Sequence, residues 1–386
     1  MDIDSQYKLT EEQKMLSDSV ARYLGEEYDF ESRRVIANGT MTQKFMHWKA
    51  FAKMGWLSLP FSEADGGFNG GAKELSILFE AFGENLVLEP YLDTILLAGG
   101  ALNAGSAAVK KKYLPDIING ELFGAFAHIE PKHTAERFHV GTMALRADDH
   151  WQLNGVKSVV SNGPYADFLI VSARISGKKN SRDGIALFAM NKNTPGVQCD
   201  DYVTIDGRRA SEITFSEVKL DLDALISSDS GILDKLLDRA CFAVCAEALG
   251  AMRRLVAMTI DYCQQRKQFG QPIGSFQVLQ HRMVDMYIAL ELSQSLLLAT
   301  ANAISVESDD QKRLLSALKF KVDKSARIIS YGAVQLHGGI AMTDEFAVGH
   351  YFKRLTLIGK QFGNADFHLE RYRNYNAVNT SAGEVG

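Results

Sequence analysis

Two short segments combine residue types that handle phosphate. They are Arg266-Lys267-Gln268-Phe269-Gly270-Gln271-Pro272-Ile273 and Val334-Gln335-Leu336-His337-Gly338-Gly339-Ile340-Ala341-Met342. An arginine at a helix end offers paired N–H donors to a phosphate, a nearby glycine lets main chain approach it, and an exposed aromatic can stack beside it. Gly338-Gly339 likewise removes side chains where a pyrophosphate would meet main-chain N–H groups, with Gln335 close by as an amide ligand. Taken singly, the first segment is also what a solvated helix end looks like, and a double glycine is a common turn. Their joint occurrence, with Ser275-Phe276-Gln277 between them, favours the phosphate-binding reading. Gln277 fits equally an amphipathic-helix surface position.

Both segments sit at or beyond the end of a long helix. Helical periodicity runs over Leu236 to Arg266, Ser275 to Ser305 and Gln311 to Leu336, stretches long enough for a helical bundle. At the other end of the chain, Thr10 before Glu11, Glu12 and Gln13 forms a capping-box pattern, and Met15, Leu16, Val20 and Leu24 recur at helical spacing. The pattern stays helical to about Gly120, broken by Gly66, Gly67, Gly70 and Gly71 and by small residues near Ala98 to Ala108. Between these helical parts, Gly141 to Arg146, Trp151 to Val160, Phe168 to Ile175 and Gly184 to Met190 are short and rich in β-branched and aromatic residues. They are separated by turn pairs such as Asp148-Asp149, Asn162-Gly163 and Asp183-Gly184. The expected division is residues 1–122 helical, 123–228 a small antiparallel β domain, and 229–386 a four-helix-type bundle.

With 386 residues the chain is long enough for more than one core and a cofactor cleft. Its 46% hydrophobic and 23% charged residues are ordinary for a folded protein. A net charge of -5 without a long basic run gives no footprint for nucleic acid or an anionic membrane as partner. Cys199, Cys241, Cys245 and Cys263 show none of the paired spacings of a zinc or redox motif, so reduced, mostly buried thiols and no metal are expected. The opening MDIDSQYKLT lacks the positive start and apolar core of a signal peptide. No apolar run approaches the ~18 uninterrupted residues of a membrane span, and cytoplasm is the expected location.

The helix, β, helix order and the two phosphate segments together make the chain resemble the acyl-CoA dehydrogenases over essentially its whole length. The resemblance implies a mainly α fold with a central β domain, FAD as cofactor, an acyl-CoA substrate and an electron-transfer flavoprotein as acceptor. It also implies that Arg266, Phe269, Gln277, Gln335, Gly338 and Gly339 bind the diphosphate and adenosine of an FAD held mainly by a neighbouring subunit, with Arg239 or His337 assisting.

That family's reaction needs a carboxylate to remove the α proton of the thioester while the flavin accepts the β hydride. At the more frequent family location of this Glu the chain has Phe362-Gly363, and at the alternative location it has Ala240. Asp238 lies near the second location but two residues off, about 200° around a helix. Asp366 and Glu370 follow the Phe362-Gly363 loop, although acidic residues at a helix start commonly serve as dipole partners. The family's glycine-rich flavin loop is replaced by Ile129-Glu130-Pro131-Lys132-His133-Thr134-Ala135-Glu136, and its Trp/Thr segment by Val159-Val160-Ser161-Asn162-Gly163. Ser161 alone keeps a hydroxyl for the flavin, and Cys241 stands where an arginine is expected.

The losses fall on what a subunit uses for its own flavin ring, while the parts extended to a neighbour's FAD are intact. The expectation is therefore a base-lacking subunit of a heterotetramer with a larger homologous chain. The resemblance is to the small subunits of pimeloyl-CoA dehydrogenase and of heteromeric enzymes of steroid side-chain degradation, and includes Cys245-Ala246-Glu247-Ala248 and the stretch from Gly274 to Met286. The alternatives are a self-sufficient homotetramer whose base is Asp238, Asp366 or Glu370, and a non-catalytic assembly module.

Overall fold

The computed structural model describes residues 9–40, 43, 45–133 and 136–383, with side chains to Tyr375. The residues before Leu9, and Thr134 and Ala135 of the replaced flavin loop, lie outside the described residues. The α-helices are α1 (Glu11–Glu27), α2 (Phe30–Asn38), α3 (Trp48–Lys53), α4 (Ala72–Glu84), α5 (Gly100–Asn103), α6 (Ala107–Ile118), α7 (Ser230–Gln265), α8 (Gln277–Ser305), α9 (Gln311–His337), α10 (Ala347–Ile358) and α11 (Ala365–Gly383). The strands are β1 (Gly124–Ala127), β2 (Met143–Arg146), β3 (His150–Ser161), β4 (Phe168–Arg174), β5 (Ile185–Asn191), β6 (Val197–Val203), β7 (Arg209–Asp221), β8 (Leu225–Ser227), β9 (Lys267–Gln268) and β10 (Gln271–Pro272). The fold is that anticipated: a helical N-terminal part, a β-sheet middle and a helical C-terminal part. By contacts the residues gather into two compact units. One holds the residues up to Val35, Gly71–Val87 and those from Cys241 on, and the other holds Ile36–Gly70 and Leu88–Ala240.

In the helical unit, α1 begins as its sequence dictates. The Thr10 hydroxyl accepts from Gln13 N at 3.2 Å, and Gln13 Oε1 accepts from Thr10 N at 3.0 Å, which satisfies two otherwise unpaired helix donors. The other Gln13 amide group donates to Glu74 Oε1 at 2.7 Å, and Glu74 Oε2 accepts from Gly71 N at 2.8 Å. One cap thereby ties α1 to the start of α4.

Helices α4 and α7 meet backbone to backbone. A Cβ on Gly83 would lie 1.8 Å from the Glu247 carbonyl oxygen, and one on Gly250 would lie 1.7 Å from that of Glu80. No larger residue fits either position. The crossing is locked by charge: Arg354 of α10 donates through Nε and Nη2 to the two carboxylate oxygens of Glu247 at 2.6 and 2.5 Å, with both side chains buried. A bidentate pair of this kind satisfies its own lone pairs, the condition under which a buried ion pair is tolerated. Glu247, close in sequence to the alternative base location, is therefore structural.

Helix α8 is apolar on two sides. Met286, Ala289, Leu290 and Leu297 are buried, while Val284, Tyr287, Ile288 and Leu292 are each about half exposed. By length and composition it is the one helix among the described residues that could cross a membrane, yet Arg282, Asp285 and Glu291 stand among its exposed side chains.

In the sheet unit the strands run in the order β6-β7-β3-β2-β4-β5-β8, with β1 also paired to β4. Most pairings are antiparallel, as alternation predicts, but β1 and β2 each run parallel to β4. Parallel neighbours need long crossovers, and these are not visible in local residue patterns. The core is a continuous cluster that includes Trp151, Leu153, Leu169, Val171, Phe188, Ile213 and Phe215. The β3–β7 pairing shifts register twice, between Leu153 and Gly155 and between Lys157 and Val160, and the second shift changes which residues of β3 face inward beyond Lys157. Lys157 itself, in alternation with Trp151 and Leu153, is fully buried.

The crossing generates a stability prediction. Gly250→Ala should destabilise the helical unit by about 3 kcal/mol or more through overpacking. Gly25→Ala in α1, where a Cβ meets nothing within 4 Å, should be neutral or stabilising by up to about 1 kcal/mol. Urea unfolding followed by circular dichroism checks both, and equal midpoints for the two variants would contradict the close crossing.

Candidate cofactor and catalytic sites

The segment after α7 is a two-residue β-hairpin. Lys267 and Gln268 pair with Pro272 and Gln271, and the turn residues Phe269 and Gly270 have φ of 51° and 81°. Positive φ at both central positions is the hairpin geometry that matches strand twist. For Phe269 it costs about 1–2 kcal/mol, and the ring is 91% exposed. An aromatic that is both strained and bare in the chain alone is poised to meet something else. Arg266, at the base of the hairpin, is exposed. Its carbonyl accepts from Ile273 N at 2.8 Å, which clasps the hairpin shut.

The second segment is joined to the first through Tyr262, which sequence reasoning missed. Tyr262 stacks on His337 with centroids 4.4 Å apart, and its hydroxyl donates to the His337 carbonyl at 3.4 Å. His337 closes α9, and its Nδ1 bonds the Ala333 carbonyl at 2.9 Å. Its buried Nε2 has no hydrogen-bond partner among the described residues. Gly338 follows with φ of 67°, and a Cβ on either Gly338 or Gly339 would meet nothing within 4 Å. Gln335 is exposed one turn back, and Gln277 is exposed at the start of α8. Arg239, in the sheet unit, is half-buried and donates to the Gly70 carbonyl at 3.4 Å.

The positions considered for a base are occupied otherwise. Ala240 is buried. Asp238 is ion-paired: Arg137 reaches its Oδ1 with Nη2 at 2.7 Å and Asp234 Oδ1 with Nη1 at 2.9 Å. Asp234 and Asp238 lie one helical turn apart, so a single guanidinium spans both. Phe362 sits in the left-handed region at φ 56°, and its carbonyl is 3.0 Å from His368 Nε2. Gly363 follows at φ 100°, where a Cβ would strike Phe367. Asp366 and Glu370 are both exposed on α11. Asp366 lines a cavity of about 400 Å³ whose walls include Asp323, Lys324, Arg327 and Lys360.

Beside the base positions lies a buried thiol pair that spacing alone did not reveal. The side chain of Cys245 hydrogen-bonds Cys241, which together with the nearby His368 holds the Cys241 thiol below its ordinary pKa. Burial pushes Cys245 up. Cys241 Sγ lies 3.8 Å from His368 Nε2, and both residues are fully buried.

In the sheet unit, the groups that would face a flavin ring are committed internally. The Ser161 hydroxyl donates to Asp93 Oδ2 at 3.1 Å. Glu130 accepts from Lys157 Nζ at 2.8 Å, from Thr142 N and Oγ1 at 2.8 Å each, and from Gly141 N at 2.7 Å. Burial opposes the Glu130 carboxylate, but Lys157 and the Thr142 donors outweigh it and hold its pKa at about 2. The same burial brings Lys157 down to about 8, against the pull of Glu130. His128, buried and beside the Lys157 charge, is lowered to about 3.

Family models for the N-terminal, middle and C-terminal domains of acyl-CoA dehydrogenase match residues 10–121, 125–218 and 231–371. The chain belongs to the acyl-CoA dehydrogenase family, whose members are FAD-dependent oxidoreductases. It is similar to mitochondrial isovaleryl-CoA dehydrogenase of Pongo abelii, 27% identical over 385 residues, covering 93% of this chain and 90% of that protein. Among solved structures it is similar to the FAD complex of PigA, with TM-score 0.88 and 24% identity, covering 97% of this chain and 99% of the other. It is similar also to the ChsE4-ChsE5 complex of Mycobacterium tuberculosis, with TM-score 0.86 and 23% identity, covering 96% and 98%.

FAD is this family's cofactor, and the phosphate-end residues fit it. The double glycine leaves its backbone open to approach, His337 Nε2 is a buried polar atom in want of a partner, and Arg266 and Phe269 are exposed. The ring-end residues do not fit in the same way, since Ser161 and Glu130 already have partners.

The buried network sets the acid limit of the sheet unit. His128 and Glu130 both have folded pKa values below their ordinary 6.5 and 4.5, so the unfolded chain binds more protons and stability falls as pH falls. The loss should begin near pH 6.5 through His128 and steepen below about 4.5 through Glu130. Glu130→Gln should flatten the lower part of that profile in equilibrium unfolding. Lys157→Met alone should cost about 3–5 kcal/mol by stranding the carboxylate, and Glu130→Gln with Lys157→Met should recover part of it.

Proposed function

We propose that this chain is the base-lacking subunit of a heteromeric, FAD-dependent acyl-CoA dehydrogenase. Its role is to complete the FAD site of a larger homologous chain that supplies the catalytic carboxylate. The observation that carries this reading is the contrast between the two ends of the cofactor. Arg266, Phe269, Gln335, Gly338 and Gly339 are presented outward. Phe362 and Ala240 stand at the two base locations, and Asp238 is paired with Arg137.

When bound, FAD supplies the hydride acceptor for α,β-desaturation of a CoA thioester. The residues of this chain bind and orient. Arg266 would offer its guanidinium to the diphosphate, Phe269 its ring to the adenosine part, and Gly338 and Gly339 their backbone N–H groups, with the Gln335 amide close by. The half-exposed stripe of Val284, Tyr287, Ile288 and Leu292 on α8 supports assembly, because a helix apolar on both sides is ordinarily covered on both. The similar ChsE4-ChsE5 complex and the similar Tcur3481-Tcur3483 steroid acyl-CoA dehydrogenase support a pairing of unlike chains and a bulky lipid or steroid acyl group. An electron-transfer flavoprotein is the electron acceptor under this reading.

Asp366 favours the second reading, a self-sufficient enzyme, because it lines a cavity with Lys324, Arg327 and Lys360. Flavin stoichiometry separates the two. The chain purified alone should hold little FAD, and co-expression with a larger homologous acyl-CoA dehydrogenase chain that carries the catalytic Glu should give about one FAD per two chains, with activity. One FAD per chain in the isolated protein would overturn the proposal in favour of Asp366 or Glu370 as base. In the mixed complex, Arg266→Ala should weaken FAD retention about 10- to 100-fold, measured by ultrafiltration and absorbance.

A further inference from the structure

The loop that replaces the family's glycine-rich segment is organised around three side chains. Consecutive backbone bonds run from His133 N to Glu130 O at 3.2 Å, from Glu136 N to His133 O at 3.1 Å and from His139 N to Glu136 O at 3.1 Å. Turns that repeat every three residues bring side chains at i and i+3 into line. His133, Glu136 and His139 accordingly stand together: the imidazole rings stack with centroids 3.5 Å apart and planes 7° apart. Glu136 Oε1 lies 2.8 Å from His133 Nδ1, and Oε2 lies 3.6 Å from His139 Nδ1.

We propose that His133, Glu136 and His139 form a binding site for a divalent transition metal ion of the zinc type. One candidate donor atom from each residue lies within 4.8 Å of the others. Ligands at the ~2.0–2.1 Å of zinc–nitrogen and zinc–oxygen bonds sit roughly 3.3 Å from each other in a tetrahedron, so closure asks the donors to draw together and the stacked imidazoles to rotate until their in-plane lone pairs converge on the ion. Two imidazoles and one carboxylate select zinc, cobalt, nickel or copper over calcium and magnesium, which take all-oxygen sets. One coordination position remains for water or another ligand.

The surroundings are those of a supported ligand set. Asn180 Oδ1 is 2.6 Å from His139 Nδ1, a contact that fixes the orientation of the His139 ring. Arg174, 1% exposed, secures both segments at once. It donates to the carbonyls of Phe138 at 3.3 Å and Val140 at 2.9 Å on either side of His139, and to those of Lys179 and Ser181 at 2.9 Å each on either side of Asn180. Arg137, between Glu136 and Phe138, is fixed to Asp234 and Asp238. The loop is thus anchored from below, while the three ligands face outward, half-buried or exposed. The cysteine spacings gave no sign of such a site, because its ligands are histidines spaced by a turn and not by a zinc-finger pattern.

The test uses the full chain without a histidine tag, titrated with Zn²⁺ against a chromogenic chelator and with Co²⁺ followed by visible absorbance. About one equivalent should bind at micromolar or tighter affinity. His133→Ala with His139→Ala should weaken binding at least about 100-fold, and Glu136→Gln and Asn180→Ala about 10-fold each. Unchanged thermal melts of the metal-free variants show that folding is intact. Equal binding by wild type and the double variant would overturn the site, as would a sulfur-to-cobalt charge-transfer band placing the ion on a cysteine.

Discussion

Helices α4 and α7 touch through their backbones at Gly83 and Gly250, and the helical unit is organised by that contact. Helix packing normally keeps axes about 8–10 Å apart because side chains intervene. Here a single Cβ at either glycine would fall within 2 Å of a carbonyl oxygen on the opposite helix. The axis of α7 is fixed as a result, and the Glu247–Arg354 pair ties α10 to the same place. At the far end of α7, Tyr262 reaches His337, so the crossing also aligns the RKQFG hairpin with the double glycine. Cofactor-binding groups held by stacked rings and short turns need such a rigid support to keep their spacing.

A second theme is where polar groups are spent. Glu130, Lys157, His128 and Ser161 are satisfied within the sheet unit, and Asp238 is held by Arg137. Low dielectric makes each of these partnerships strong and makes each group expensive to redirect toward a ligand. The phosphate-end groups are the reverse: open glycines, an exposed guanidinium, an exposed and strained Phe269, and a buried His337 nitrogen without a partner among the described residues. The polar groups of the sheet unit are spent on stability, while those of the two phosphate segments stay available. That division is the physical content of the two-chain reading.

Local chemistry made much of the fold legible. Thr10 and Gln13 announce the start of α1 because a capping box is a matter of four consecutive residues. The long periodic stretches become α7, α8 and α9, α7 starting six residues earlier than expected and the other ends shifted by two at most, and Trp151 to Val160 becomes the centre of β3. The two segments read for phosphate stand out in the sequence by residue type and spacing at helix ends, and the structure places them at the ends of α7 and α9. Phe362 and Ala240 cannot themselves act as bases in any fold.

What the sequence by itself determined is thus the class of fold, the family and the inventory of groups available for binding. Tertiary structure decided which of those groups are spoken for. Asp238 faces Arg137, roughly 100 residues away in sequence; Ser161 faces Asp93; buried Lys157 meets Glu130 from another segment of the sheet unit. The hairpin at Phe269, the parallel partners of β4 and the convergence of His133, Glu136 and His139 likewise depend on backbone geometry. The physical reason is common to all of them: propensity and capping act over a few residues, whereas charge pairing, register and packing are settled between segments distant in the chain.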